Sequence, residues 1–207
     1  MLLRVTVFLC GAVVMSLEML AFRKLNPTFG SGLHVWGALI GTFIGALSLG
    51  YWLGGLAADR WQTKVGIGVL ILASGLVTIT LLPATDPVMD YISELNDMQS
   101  LVSGKWLKPV VAGTLIYSAP VILLGAVSPY AIRLASRDLK SLGRKVGGFY
   151  AISSVGSIFG TFLTAFYLIE KLGVSRIILA DGLVLVALSL PLLAKGRWSE
   201  RAKTQRE

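Results

Sequence analysis

Two carboxylates, Glu18 and Asp181, fall inside stretches of this chain that are otherwise apolar. An ionised group near the centre of a bilayer costs at least about 2.5 kcal/mol, so such a residue points to function by default. Placed on membrane-spanning helices, Glu18 would lie about 6 Å and Asp181 about 9 Å from the same membrane face. At similar depth the two could share one cation, or bind a cationic or proton-coupled solute. The plainer reading stays open. Glu18 would then contact Arg23 or Lys24 near the interface, and Asp181 would be hydrogen-bonded within a bundle. Tyr117, Tyr130 and Tyr150 offer hydroxyl donors nearby, or serve as packing and interfacial aromatics. We place Glu18, Asp181, Tyr117 and His34 in one candidate solute or coupling set.

Other chemistries are poorly supplied. One histidine and one cysteine, Cys10, do not make a conventional His/Cys zinc site. Cys10 has no partner for a disulfide, and no motif calls for a cofactor. The formal net charge of +8 would suit nucleic acid only if the cations shared one water-facing domain. They do not.

The elements that must carry these residues are membrane helices. Hydrophobic residues make up 55% of the chain and charged ones 14%, against about 25% charged in a soluble domain. Six apolar stretches approach the roughly 20 residues needed to span hydrocarbon. They are Val5–Phe22, Val35–Ala58, Val65–Leu82, Pro109–Ala135, Val146–Ile169 and Ser175–Ala194. Pro120 and Pro129 should kink the fourth. The domain so defined covers residues 1–194, and a basic tail covers 195–207. The first stretch reads as a retained helix rather than a cleaved signal, because Glu18 interrupts it and Arg23 and Lys24 follow.

Cations set the orientation. One side holds Arg4, Arg60, Lys64, Arg133, Arg137, Lys140, Arg144, Lys145, Lys195, Arg197, Arg201, Lys203 and Arg206. The other holds only Arg23, Lys24, Lys105, Lys108, Lys171 and Arg176. The positive-inside rule then predicts an inner (cytoplasmic) membrane protein with both termini in the cytoplasm. On the outside, Asp86-Pro87 reads as a helix start. Val88, Tyr91, Ile92, Leu95, Met98 and Val102 recur at helical spacing, which predicts an amphipathic helix over about 86–103, as a lid or a docking element.

The second span is loaded with glycine, which costs roughly 1 kcal/mol per residue in an exposed helix and in a bilayer permits close helix approach. Gly37, Gly41, Gly45, Ser48 and Gly55 share one face, and Ala46, Gly50, Gly54 and Ala57 the opposite one. Packing on both faces is expected, in the middle of a bundle. In the fifth span Gly156 and Gly160 form a similar surface with Ser153 and Thr164. Spans two and five resemble each other in texture but cross in opposite directions, as an inverted 3+3 repeat predicts.

Several stretches resemble one family. Residues 16–60 (SLEMLAFRKLNPTFGSGLHVWGALIGTFIGALSLGYWLGGLAADR) and 122–173 (ILLGAVSPYAIRLASRDLKSLGRKVGGFYAISSVGSIFGTFLTAFYLIEKLG) are similar to the membrane domain of spermidine synthase-like proteins, the fused major-facilitator/spermidine synthases. His34 stands where similar sequences would carry an aromatic. In the fused members a soluble aminopropyltransferase domain follows the membrane part, whereas this sequence ends at Glu207. The resemblance therefore implies no catalytic residues here, and a chain that is not itself an enzyme. Residues 55–60 also resemble the major-facilitator loop between helices two and three, whose charges lock one conformation. That resemblance would give Asp59 and Arg60 a conformational role, although the later Gly-Arg-Arg/Lys part of that loop is missing, with Trp61, Gln62, Thr63 and Lys64 in its place.

The implied fold is an all-α integral membrane protein of six transmembrane helices, similar to half of a major-facilitator transporter. Three functions follow as expectations. The first is a membrane subunit that works with a separate soluble spermidine synthase-like partner. The second is a small transporter of a cationic, polyamine-like solute acting as a homodimer. The third is a structural subunit of a larger membrane assembly. In each the lipid bilayer is the main partner, and nucleic acid is not one.

Overall fold

The computed structural model describes residues 1–94, 106–136 and 142–204. Among these, every regular element is helical. We label the helices α1 (Leu2–Phe29), α2 (Leu33–Arg60), α3 (Lys64–Glu94), α4 (Leu107–Ala135), α5 (Leu142–Leu172) and α6 (Val174–Thr204). All six are long and apolar enough to cross a membrane, the apolar part of α6 ending at Ala194. The chain is thus a multi-pass membrane protein of six spans, as its apolar stretches predict.

Helix ends follow local chemistry. Gly30 (φ 84°) stops α1, and Gly173 (φ 75°) separates α5 from α6. Only glycine adopts such angles without Cβ strain. Thr63 starts α3 by accepting the Gly66 N–H on its hydroxyl at 3.0 Å, an N-cap bond. Two predicted boundaries shift. The first helix continues past Phe22 and through Pro27 to Phe29. The third continues through Pro83 and Pro87 to Glu94, so Asp86-Pro87 does not start a separate amphipathic helix. The Asp86 carboxylate pairs with Lys24 of α1 at 2.7 Å instead of capping a new helix. The remainder of the predicted outer helix, 95–103, lies outside the described residues.

Three dominant pairings build the bundle, α1 with α5, α2 with α4 and α3 with α6, and α3 also lies along α4. Exchanging the first three helices with the last three returns the same three pairings. The glycine contacts show how closely the halves correspond. Gly50 of α2 lies against the Ile122 carbonyl and Gly54 against Ala126. Gly156 of α5 lies against the Phe8 carbonyl and Gly160 against Ala12. In the reverse sense Gly125 meets Leu47 and Gly11 meets Ser153. A single offset carries Phe8, Gly11 and Ala12 onto Ile122, Gly125 and Ala126. Another carries Leu47, Gly50 and Gly54 onto Ser153, Gly156 and Gly160. Even the local sequences match, Leu-Cys-Gly-Ala-Val at 9–13 and Leu-Leu-Gly-Ala-Val at 123–127.

The third pair meets itself. Residues 71–77, Ile-Leu-Ala-Ser-Gly-Leu-Val, recur at 178–184 as Ile-Leu-Ala-Asp-Gly-Leu-Val, with one difference. Gly75 faces the Gly182 carbonyl and Gly182 the Gly75 carbonyl. Gly68 reaches Leu193 and Gly196 reaches Val65, so α3 and α6 are antiparallel. The two heptapeptides cross the bundle in opposite directions.

The expected central position of α2 is not observed. Gly50 and Gly54 are packed against α4, but no described residue lies within 4 Å of where a Cβ would stand at Gly37, Gly41, Gly45 or Gly55. Gly37, Gly41 and Gly45 leave a groove of about 560 Å³ along α2 and α4, lined by Thr42, Thr114 and Ser118 among others. The most deeply enclosed spans are α1 and α4, with Leu17, Leu20, Leu39, Phe43, Ile71, Tyr117 and Tyr130 in the core. The difference is physical: glycine permits close packing on a face but does not supply the neighbour.

Candidate functional site

Polar side chains inside the bundle gather at two places. The first joins three helices. Thr164 of α5 donates its hydroxyl to Ser16 Oγ at 3.0 Å, and Ser16 Oγ donates to Asp181 Oδ2 at 2.7 Å. Ser16 and Thr164 are buried. Ser16 lies near the midpoint of α1, about 20 Å from either end, while Asp181 and Thr164 are about 10–12 Å from the adjoining ends of α6 and α5. Thr164 is the first residue of a π-helical turn, Thr164–Leu168. Such a turn inserts a residue and re-aims side chains, and it recurs at functional positions. Hydrogen bonds to a charged group contribute about 1.5–3 kcal/mol, enough to offset much of the cost of a carboxylate at this depth.

Asp181 is the one departure between the two heptapeptides. Its counterpart Ser74 is buried and donates to the Pro120 carbonyl of α4 at 3.2 Å. The equivalents of Ser16 and Thr164 are Tyr130 and Ala58. Tyr130 turns away to the Trp61 carbonyl. The three-residue polar chain, which joins α1 of one half to α5 and α6 of the other, therefore has no counterpart at the repeat-related position, and it breaks the repeat.

The second place lies between α1, α2, α4 and α5. A small cavity of about 50 Å³ is lined by Cys10, Gly11, Val14, Leu47, Tyr51, Leu124, Gly125, Ser128, Ser153 and Ser157, with Met15. The ten named first are five equivalent pairs under the repeat, so the cavity straddles the axis relating the halves. Ser157 donates to the Gly11 carbonyl at 3.3 Å. Glu18 follows Gly11, Val14 and Met15 at helical spacing on the same side of α1, one turn further outward, and is half-buried.

Glu18 and Asp181 do not form one site. Asp181 meets Ser16, and a residue two positions later on α1 is turned about 200° away. With α1 extended to Phe29, Glu18 also lies about 16 Å from the helix end, deeper than expected. It has no ion pair among the described residues, and Lys24 is engaged by Asp86. His34 is exposed at the start of α2. Tyr117 is sealed in the core beside Phe43, ring centroids 6.0 Å apart, and its hydroxyl has no partner among the described residues. Neither joins the carboxylates. The four expected site residues thus occupy four separate environments.

Asp59 accepts a bond from Arg133 Nε at 2.9 Å, tying the end of α2 to the end of α4. The pair borders a cavity of about 590 Å³ that includes Gly55, Pro129, Ser136 and Tyr150. Arg60 instead lies over the Trp61 ring, 5.8 Å from its centroid. No group of three or more metal-ligating side chains is found among the described residues.

Ser16, Tyr51 and Ser128 were not among the residues that sequence reasoning selected, and Thr164 entered only as part of a packing face. The signal for them is the heptapeptide repeat, which marks position 181 as altered and thereby draws attention to whatever Asp181 touches. Fold and site together define an all-α, six-span membrane protein of transporter-like helical architecture. No family model, curated protein or solved structure matches the chain.

Proposed function

We propose that this chain is a membrane transport unit for a cationic, polyamine-like solute, working as a homodimer. The observation that carries this reading is the polar cavity on the axis of two inverted three-helix halves, with Glu18 on the same side of α1. Transporters built from inverted repeats place their sites at the repeat interface near the bilayer midplane. A half-buried carboxylate without an ion pair among the described residues is a suitable counter-charge for an amine. The Thr164–Ser16–Asp181 chain would link the central helix to α5 and α6, so that a change of charge at Asp181 is felt at the midpoint of α1. The open glycine face of α2 supports the dimer, because small residues at four-residue spacing let helices approach closely. On this reading both termini are cytoplasmic, and the chain performs no bond chemistry of its own. The test is uptake of labelled spermidine into liposomes holding the purified protein. Flux that Glu18→Gln abolishes supports the reading, and absence of flux for the unmodified protein refutes it.

A second reading rests on the resemblance of residues 16–60 and 122–173 to the membrane domain of spermidine synthase-like proteins. There the chain is a membrane subunit for a separate soluble protein of aminopropyltransferase fold. Affinity purification from native membranes in mild detergent tests it: a stoichiometric soluble partner of that fold supports it, and recovery of this chain alone counts against it.

A further inference from the structure

A third cavity lies away from both polar places, at the end of the bundle where α1, α3 and α5 begin. Its volume is about 600 Å³, and Arg4, Lys64 and Lys145 line it together with Leu2, Leu3, Ala135, Phe149 and Leu192. The three cations come from three different helices. Among the described residues no acidic side chain lines the cavity, and neither ion pair involves these cations. The fold therefore brings three like charges to one cavity, with no anion beside them among the described residues. The charges stand at helix starts, while Phe149 and Leu192 are buried in the core. A cationic rim over an apolar floor is amphipathic in the same sense as a phospholipid.

We propose that this cavity binds the phosphate headgroup of an acidic phospholipid, its acyl chains resting on the apolar floor. Arg4 supplies a planar fork for phosphate oxygens, and Lys64 and Lys145 supply point charges. A free phosphate would use the rim and leave the floor unfilled, whereas a lipid uses both. The site serves a membrane subunit as well as a transport unit, and is independent of the choice between them.

The experiment is native mass spectrometry of the full chain released from vesicles of phosphatidylcholine containing phosphatidylglycerol. The unmodified protein is expected to retain phosphatidylglycerol in preference to phosphatidylcholine. Arg4→Gln, Lys64→Gln and Lys145→Gln should each weaken retention about fivefold, the factor equivalent to about 1 kcal/mol per cation near the surface. Arg144→Gln, outside the cavity lining, should change it little. The single variants guard against misfolding of a triple variant, and thermal unfolding in pure phosphatidylcholine checks that each is folded. Equal retention by the three lining variants and by Arg144→Gln would overturn the proposal. So would thermal stabilisation by inorganic phosphate as large as that by phosphatidylglycerol, since the ligand would then be a soluble anion.

Discussion

Ser74 and Asp181 occupy the same position in two copies of one heptapeptide, on antiparallel helices whose glycines at the next position face each other. One is a neutral hydroxyl bonded to a carbonyl, and the other is a carboxylate bonded to a hydroxyl of α1. Within the heptapeptide this is the one position where the halves diverge chemically while their backbones remain paired alike.

Replacing Asp181 by serine would make the two heptapeptides identical. Asp181→Ser should fold and melt within about 1 kcal/mol of the parent, because its counterpart already tolerates serine, whereas Ser16→Ala should cost about 1.5–3 kcal/mol by stranding a carboxylate. If the polar chain couples solute movement, Asp181→Ser abolishes spermidine flux in liposomes despite normal folding. Undiminished flux would assign Asp181 a structural role.

Glycines that look alike in the sequence should respond differently. Gly54→Ala and Gly160→Ala drive a methyl into the backbones of α4 and α1, and overpacking of this kind costs about 1–3 kcal/mol. Gly41→Ala meets nothing among the described residues and should leave the melting of the monomer unchanged. Thermal unfolding in detergent distinguishes the two groups. A Gly41→Leu variant that shifts the protein from dimer to monomer in light scattering would place the partner copy on α2.

The Asp59–Arg133 pair is more than one-third exposed on both sides, so its contribution to stability should stay below about 1 kcal/mol. Asp59→Asn should hardly change the melting temperature. Its effect, if the pair holds the ends of α2 and α4 together, appears in conformation: a spin-label distance between these ends should broaden, and more so at high salt in the parent. An unchanged distance distribution would remove the pair from any gating role.

Orientation can be measured with little engineering. Cys10 is the only cysteine and is buried, so a single introduced thiol reports by itself. His34→Cys should react with a membrane-impermeant maleimide in intact cells, and Gln62→Cys only after permeabilisation. The reverse pattern would place the termini outside.

The spans were legible because hydrocarbon thickness constrains them directly, and all six helices begin within about four residues of their predicted starts. Ends were less so. Asp86-Pro87 reads as a helix start in water, but a membrane helix runs through proline when side chains and neighbours satisfy the freed groups, as α1 does at Pro27 and α3 at Pro83 and Pro87. The repeat was visible only in part, since glycine texture related spans two and five while the sharper signal at residues 71–77 and 178–184 lay in spans chosen for hydropathy alone. The carboxylates stand out in the sequence by lying within apolar spans. Their separation was not legible, because which face of α1 meets α6 depends on packing rather than on depth, and a difference of two residues reverses it.

The repeated heptapeptide also bears on how such a chain enters a bilayer. Its two copies cross in opposite directions, so this stretch of apolar helix is compatible with either orientation of insertion. What distinguishes inside from outside is then left to arginine and lysine in the loops. A handful of charge reversals around Arg60, Lys64, Arg144 and Lys145 should suffice to turn the protein over without disturbing a single helix contact in its centre.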